Sequence, residues 1–244
     1  MKTEERAYEG GELMLFRDAI NWKVYLYQFL ARDLRGERLL EVGSGLGGNV
    51  PHYAHLAGEI TLLEPDGDLL AESKRYVSGL AGQIQHIQGT TATLPEDIVR
   101  DGFDAILYSD VMEHIEDSVA EVRRAAGFLR PGGKLVVVVP AYPSLFSEFD
   151  AAIGHYRRYT RSMLRNEFAE GFPEGRIQTM RHLEAVGVFP SLANKLFLKQ
   201  SAPTPAQVKM WDRWMVPVSR WLLDPIVQGT FGKSVIGVIE KPRA

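Results

Sequence analysis

The sequence predicts an α/β fold, a doubly wound and mostly parallel sheet of seven strands with a helical segment ahead of it and an insertion before the last strand. Three observations carry this. Short apolar runs recur along the chain, separated by stretches of helical periodicity, which is the pattern that parallel strands with crossover helices impose. A glycine-rich segment, LEVGSGLGGN over 40–49, lies between the first apolar run and the helix expected after it. The chain has 244 residues, 45% of them hydrophobic, enough to bury both faces of such a sheet.

Residues 11 to 34 place Leu13, Phe16, Ile20, Val24, Tyr27 and Leu30 at helical spacing, and Gly36 ends that amphipathic helix. Strands follow at 38–42 (RLLEV), 59–64 (EITLLE), 83–88 (QIQHIQ), 103–109 (FDAILYS) and 134–140 (KLVVVVP), with helices between them over 49–57, 67–80 and 117–129. Arg130-Pro131-Gly132-Gly133 closes the last helix, since its glycines tolerate positive φ. Beyond 140 the chain is irregular up to Thr160, whose hydroxyl suits the N-cap of a helix running to about 169. A sixth strand near 176–185 and a seventh within 234–241 complete the sheet. The intervening stretch carries Pro190, Pro203, Pro205, Pro217 and Pro225 and is too long for a hairpin, so 186–230 reads as an insertion.

Composition excludes several function classes. Lysine and arginine total 28 against 31 acids, a net charge of −3, so no global basic field drives nucleic-acid or anionic-membrane binding and any anion recognition must be local. With no cysteine there is no disulfide scaffold, thiolate metal site or cysteine nucleophile. The opening MKTEERAYEGGELMLF has acids where a signal peptide needs a basic start, and no run approaches the roughly 18 apolar residues of a spanning helix. The expectation is a soluble, cytoplasmic chain.

In LEVGSGLGGN, Gly43, Gly45, Gly47 and Gly48 let backbone approach a ligand closely, and amides at the following helix start can face it. Asn49 is a candidate N-cap and Pro51 suits the first turn. Glycines 43, 45 and 48 also match G-x-G-x-x-G, which alone is a weak dinucleotide signal. Glu64 ends the second strand, where a carboxylate can accept hydrogen bonds from both hydroxyls of a ribose, so a nucleoside-containing ligand is expected.

The company this loop keeps is more specific. Glu41-Val-Gly-Ser-Gly-Leu-Gly, LLEPD (62–66), GTTATLP (89–95), FDAILYSDVMEHIED (103–117) and LRPGGKLVVVVP (129–140) resemble, in order, the motifs of class I S-adenosylmethionine-dependent methyltransferases. The resemblance covers about residues 36 to 140, and GKSVIGVIEK resembles the antiparallel last strand of that Rossmann-like methyltransferase fold. It implies S-adenosyl-L-methionine as cofactor. Glu41 would sit under the methionine ammonium, with Gly43, Ser44, Gly45, Gly47 and Asn49 along the ligand, Glu64 on the ribose, Pro65 and Asp66 beside the adenine, and Ser109 and Asp110 closing the set after strand four. Thr90 stands where the family commonly carries an acid for the adenine amine, with Thr91 supplying backbone; a hydroxyl is the weaker acceptor. The chain then divides, within one domain over 1–244, into a helical lid (1–35), a cofactor core (36–140), a substrate-side segment (141–185), the helical insertion (186–230) and the last strand (231–244).

Methyl transfer needs in-line alignment and exclusion of water, and a base where the acceptor is a hydroxyl or ammonium. Asp110, Glu113 and His114 follow strand four, at the sheet edge where open α/β folds bind ligands. Three readings stay open for them: capping and orientation, His114 as general base, and metal binding, since Asp110-x-x-Glu113-His114 with His155 resembles the E-x-x-E-H site of ubiquinone-pathway and small-RNA methyltransferases. The expectation is no metal, with His114, His155 and Glu113 as the catalytic set. The segment 140–164 gathers Asp150, His155, Tyr156, Arg157 and Arg158; the arginines either pin the loop to Asp150 and Glu148 or grip an anionic acceptor. Expected acceptor contacts are Trp22, Tyr25, Tyr142, Tyr156, Arg157 and Arg158. In the insertion Val208, Trp211, Trp214, Met215, Val218, Trp221 and Leu222 form a helical stripe that Pro217 kinks or splits; packing, a substrate roof and a dimer or membrane-surface contact all remain open. The sequence therefore predicts an enzyme methylating a small, anionic or aromatic molecule, most directly on oxygen, with nitrogen or carbon as the runner-up, no nucleic-acid partner, and a homodimer left open. A nicotinamide-dependent oxidoreductase and an inactive cofactor-binding partner protein are the alternatives of other classes, and no Tyr-x-x-x-Lys supports the former.

Overall fold

A computed structural model describes residues 11–80, 82–198 and 200–243, so the first ten residues of the expected lid lie outside the described residues. The sheet comprises β1 (Gly36–Val42), β2 (Ala57–Glu64), β3 (Gln83–Gln88), β4 (Phe103–Ser109), β5 (Leu129–Pro140), β6 (Arg176–Leu183) and β7 (Ser234–Glu240). Their order is β3-β2-β1-β4-β5-β7-β6. β1 to β5 run parallel, and β7 inserts antiparallel between β5 and β6.

Period-two alternation explains how one sheet serves two cores. In β5, Leu135, Val137 and Val139 join one buried cluster while Val136 and Val138 join the other. The first face is covered by the helices Ser118–Phe128 and Arg161–Gly171, through Val122, Ala125, Leu164 and Phe168. The second is covered by the helix Ile20–Leu34 and by the insertion, through Trp22, Leu26, Leu30, Val208, Trp211 and Val216. The chain leaves β1 and β4, adjacent strands, toward opposite sides of the sheet, and the crevice above their carboxyl ends is the topological switch point.

Several boundaries differ from expectation. The helix over 11–34 is two helices, Gly11–Arg17 and Ile20–Leu34, because Ala19 leaves helical geometry (ψ 69°). The break lets Phe16 and Trp22 both reach Trp211, with ring centroids 6.1 and 6.2 Å away. The helix over 49–57 is only Val50–Tyr53 followed by a 3₁₀ turn, since β2 already pairs with β1 from Ala57 onward. The turn at 130–133 is absorbed into β5, whose pairing with β4 shifts register between Phe103 and Ala105.

The insertion is helical but irregular. The helix Val188–Ala193 passes into a π-turn over Asn194–Leu198. A longer run, 205–227, alternates α and π geometry, with π-turns at Trp211–Met215 and Ser219–Leu223. Pro217 and Pro225 lack the N–H an α-helix requires, and the wider turns before each accommodate that loss rather than splitting the run.

Candidate active site

A cavity of about 1000 Å³ opens at the carboxyl ends of β1 and β4. Its floor is the glycine loop. Gly43 and Ser44 both donate backbone hydrogen bonds to Leu63 O (2.8 and 3.1 Å), which ties the loop to the end of β2. Gly43 has φ +67°, and a Cβ there would lie 2.7 Å from Val111; Gly47 has φ +69°, and a Cβ would meet Ser73 Oγ at 2.5 Å. Only glycine satisfies both the backbone and the space. Glu64 is held at the cavity wall by Gly45 N (2.8 Å) and Asp66 N (3.0 Å), one to each carboxylate oxygen, leaving lone pairs for a ligand. Burial raises its carboxyl above the ordinary range.

Of the expected cofactor contacts, Gly43, Ser44, Gly45, Asn49, Glu64, Pro65, Asp66, Thr90, Thr91, Ser109 and Asp110 line this cavity. Gly47 instead packs against the helix Gly67–Val77. Glu41 is buried behind Asn49: Asn49 Nδ2 donates to its Oε1 at 3.0 Å and Tyr53 Oη donates to Oε2. Burial pushes its carboxyl up to about 7, against the hydrogen bonds from Tyr53 and Asn49. Asn49 thus spends its side chain on Glu41 rather than capping the next helix. Asp66 caps the helix Gly67–Val77 through Asp68 N and Leu69 N. Ser44 Oγ is buried without a hydrogen-bond partner among the described residues, a polar atom on the wall that a ligand would satisfy. The cradle therefore fits a nucleoside-bearing ligand such as S-adenosylmethionine.

At the expected adenine end, the threonine-for-acid departure has a neighbour that sequence reasoning missed. Thr91 Oγ1 donates to Glu121 (2.8 Å), which also accepts from Tyr108 Oη (2.6 Å) and Arg124 Nη1 (2.6 Å). Glu121 and Arg124 both line the cavity, so a carboxylate returns to this region from another element. An acid three residues before an arginine in the 117–129 helix was the available signal, but it reads equally as a solvated pair.

The opposite end holds the titratable cluster. A 3₁₀ turn, Met112–His114, aims Glu113 and His114 inward, and the turn after the helix Glu148–Ala152 delivers His155. The two imidazoles meet edge to face, centroids 4.5 Å apart. His155 Nδ1 lies 3.1 Å from Asp150 Oδ1, and its Nε2 lies 3.8 Å from Glu113 Oε1. Asp150 also accepts from Arg158 Nε (2.7 Å) and from Ser147 N and Oγ (2.8 and 2.9 Å). Burial alone would raise its carboxyl, but the His155 and Arg158 contacts prevail and hold it well below the usual range. An ionised Asp150 can only accept, so the His155 ring donates to it from Nδ1. Glu113 is fully buried, neither oxygen has a hydrogen-bond partner among the described residues, and burial, with the nearby Asp110 and Asp150 charges, pushes its carboxyl well above the ordinary range. Burial and the neighbouring His155 bring His114 down to about 4, leaving it neutral. Donor atoms of Glu113, His114 and His155 all lie within 4.8 Å of one another, a set that could hold a metal ion.

Four expected acceptor contacts do not line the cavity. Tyr25 Oη is drawn to Asp224 (2.5 Å) on the insertion. Tyr142, at φ +63°, stacks on His182 with centroids 5.1 Å apart. Tyr156 is exposed, and Arg157 crosses to Ser118 Oγ (3.0 Å) and Glu116 O (2.7 Å), pinning the loop from outside. Trp22 and Arg158 do line it. A further cation was missed: Lys233, just before β7, has its Nζ 3.8 Å from the Trp211 ring centroid and 5.4 Å from that of Trp22. Burial lowers its ammonium, while Glu184 and Asp110 counter that. No sequence pattern joins positions 22, 211 and 233.

Comparison with known proteins agrees with this geometry. The family model described as a methyltransferase domain matches residues 20–184. A ubiquinone biosynthesis O-methyltransferase of Bradyrhizobium sp. (strain ORS 278) is 31% identical over 104 residues, 43% of this chain and 40% of the relative. A ubiquinone/menaquinone biosynthesis C-methyltransferase of Vibrio vulnificus is 27% identical over 128 residues, 49% of this chain and 48% of the relative. The chain thus spans less than half the length of these curated relatives. A solved geranyl diphosphate methyltransferase in complex with S-adenosylmethionine superposes with a TM-score of 0.61 at 15% identity, covering 99% of this chain and 93% of that one, a likeness of fold. With the family model spanning most of the sheet and the strand order of the Rossmann-like methyltransferase fold, the chain belongs to the class I S-adenosylmethionine-dependent methyltransferases.

Proposed function

We propose that this chain binds S-adenosylmethionine between the glycine loop and Glu64 and methylates a hydroxyl oxygen of a small, largely apolar acceptor, with His155 as general base. The observation that carries this reading is the Asp150–His155 pair, whose imidazole lines the same cavity that the glycine loop floors. When bound, the cofactor would supply a methyl group made electrophilic by its sulfonium. Glu64 holds the ribose hydroxyls, Ser44 Oγ gains its missing partner, and Leu13, Phe16 and Trp22 exclude water from above. His155 Nε2 accepts the acceptor's hydroxyl proton, and Asp150 stabilises the imidazolium so formed. A carboxylate or phosphate on the acceptor meets Lys233 rather than Arg157.

Incubation of cell metabolite extracts with methyl-labelled cofactor, followed by mass spectrometry, tests the reading. Labelled methyl ethers or esters support it, and labelled amines or ring carbons alone would replace oxygen with nitrogen or carbon. A second reading is favoured by the Glu113, His114 and His155 set: a divalent cation held there, with Glu113 ionised by the ion's charge. Chelation separates the two.

A further inference from the structure

The helical run 205–227 turns one face inward and leaves the other without a partner. Val208, Trp211, Val216 and Ser219 are buried, whereas Met210, Trp214, Val218, Leu222 and Ile226 are exposed at intervals of four residues. The alternation of α and π turns averages about four residues per turn, which keeps that row along one side of the helix. Trp221, a quarter turn from the row, is 68% exposed against 64% for Trp214, and Phe197 and Leu198 are exposed on the π-turn Asn194–Leu198. A face of this kind exceeds the scattered apolar residues normal on a soluble surface.

The charges on the run are sorted by sign. Its two acids point into the protein: Asp212 accepts from Trp22 N (2.8 Å) and Asn21 N (3.2 Å), and Asp224 from Glu184 N (3.0 Å), Ala185 N (2.9 Å) and Tyr25 Oη. What faces outward is basic. Lys209 and Arg213 are exposed, Arg213 lying over the Trp214 ring at 5.8 Å, while the half-buried Arg220 donates to Gln28 Oε1 and lies over the Trp221 ring at 4.5 Å. Tryptophans interleaved with cations along an apolar helix face suit the boundary of an anionic bilayer, where indoles lie at headgroup depth and guanidiniums reach lipid phosphate. Leu198 and Met210 are exposed and also line the cavity, so the cavity rim shares apolar residues with these two segments.

We infer that the outer face of residues 205–227, with Phe197 and Leu198, docks in the plane of a membrane carrying anionic phospholipid and turns the cavity mouth toward it. The surface is peripheral: among the described residues no helix is long and apolar enough to cross a membrane. The inference stands apart from the transferase reading, because vesicle binding is measured without turnover.

Flotation with vesicles of phosphatidylcholine mixed with phosphatidylglycerol tests it. The whole chain floats with the mixed vesicles, is released by added salt, and is not carried by phosphatidylcholine alone. Trp214→Ser with Trp221→Ser, and separately Lys209→Gln with Arg213→Gln, weaken vesicle binding about tenfold or more, since each cation near an anionic surface contributes roughly fivefold. Both pairs keep the wild-type thermal midpoint, because these side chains are exposed. Failure to float with mixed vesicles overturns the inference. So does equal binding to both vesicle types, unchanged binding by the variants, or a dimer without vesicle affinity that the tryptophan substitutions dissociate, which would make a second copy the occupant.

Discussion

Asp150 Oδ1 lies 3.1 Å from His155 Nδ1 and 2.7 Å from Arg158 Nε, so one buried carboxylate both orients the imidazole and neutralises the guanidinium beside it. This sharing occupies Nδ1, so Nε2 is the ring nitrogen left for a ligand in the cavity that His155 lines. It also means that the loop cannot loosen around Arg158 without misplacing the imidazole.

His155→Gln is expected to lower kcat about 10²- to 10⁴-fold, the usual worth of a positioned base, while S-adenosylhomocysteine affinity stays within twofold. Stopped-assay kinetics with calorimetry of the same variant checks this. Equal loss of cofactor affinity would show that His155 shapes the cavity rather than moving a proton.

Asp150→Asn removes the charge opposite the buried Arg158 as well as the acceptor of His155. The expected outcome is a drop of about 3 kcal/mol in unfolding free energy, the scale of breaking a buried pair, together with a fall in kcat. Chemical denaturation and turnover measured in parallel separate the two effects. A variant of wild-type stability would mean that Arg158 finds water or another partner.

Glu41 gives the stability a pH dependence. Its folded-state carboxyl titrates near 7 against 4.5 ordinarily, so the folded state binds more protons than the unfolded state between those values. Stability therefore falls as pH rises from 4.5 through about 7, by up to about 3 kcal/mol from this group. Glu184, also raised to about 7, acts in the same direction, so the comparison must be between wild type and Glu41→Gln. Urea unfolding across that window should show a shallower decline in the variant; parallel curves would contradict the assignment.

Exhaustive dialysis against a chelator should leave turnover unchanged if His155 works as a base without a bound ion. Loss of activity restored by Mg²⁺ or Mn²⁺ would instead assign Glu113, His114 and His155 to a cation.

Much of this was legible in the sequence, for a reason tied to distance along the chain. The strands show because their apolar runs are local, and Gly43, Ser44, Gly45 and Glu64 show because loop and acid keep a fixed spacing across one strand-helix-strand unit. Lys233 against Trp211, and Glu121 under Thr91, depend on contacts between elements far apart in the sequence, where no spacing rule applies. Tyr25, Tyr142, Tyr156 and Arg157 failed as cavity residues for a related reason: residue type suggested an acceptor contact, but direction is set by partners elsewhere, Asp224, His182 and Ser118 among them. The break at Ala19 and the π-turns before Pro217 and Pro225 are adjustments to packing and to missing N–H donors that periodicity does not encode.

The central claim is that the crevice between the glycine loop and Glu64 takes S-adenosylmethionine, and calorimetric titration with S-adenosylhomocysteine and with NAD tests it most directly. The account predicts that S-adenosylhomocysteine binds, that Glu64→Ala weakens it by about 1.5–3 kcal/mol, the range for hydrogen bonds to a charged group, and that NAD does not compete. Tight NAD binding with no heat from S-adenosylhomocysteine would contradict it.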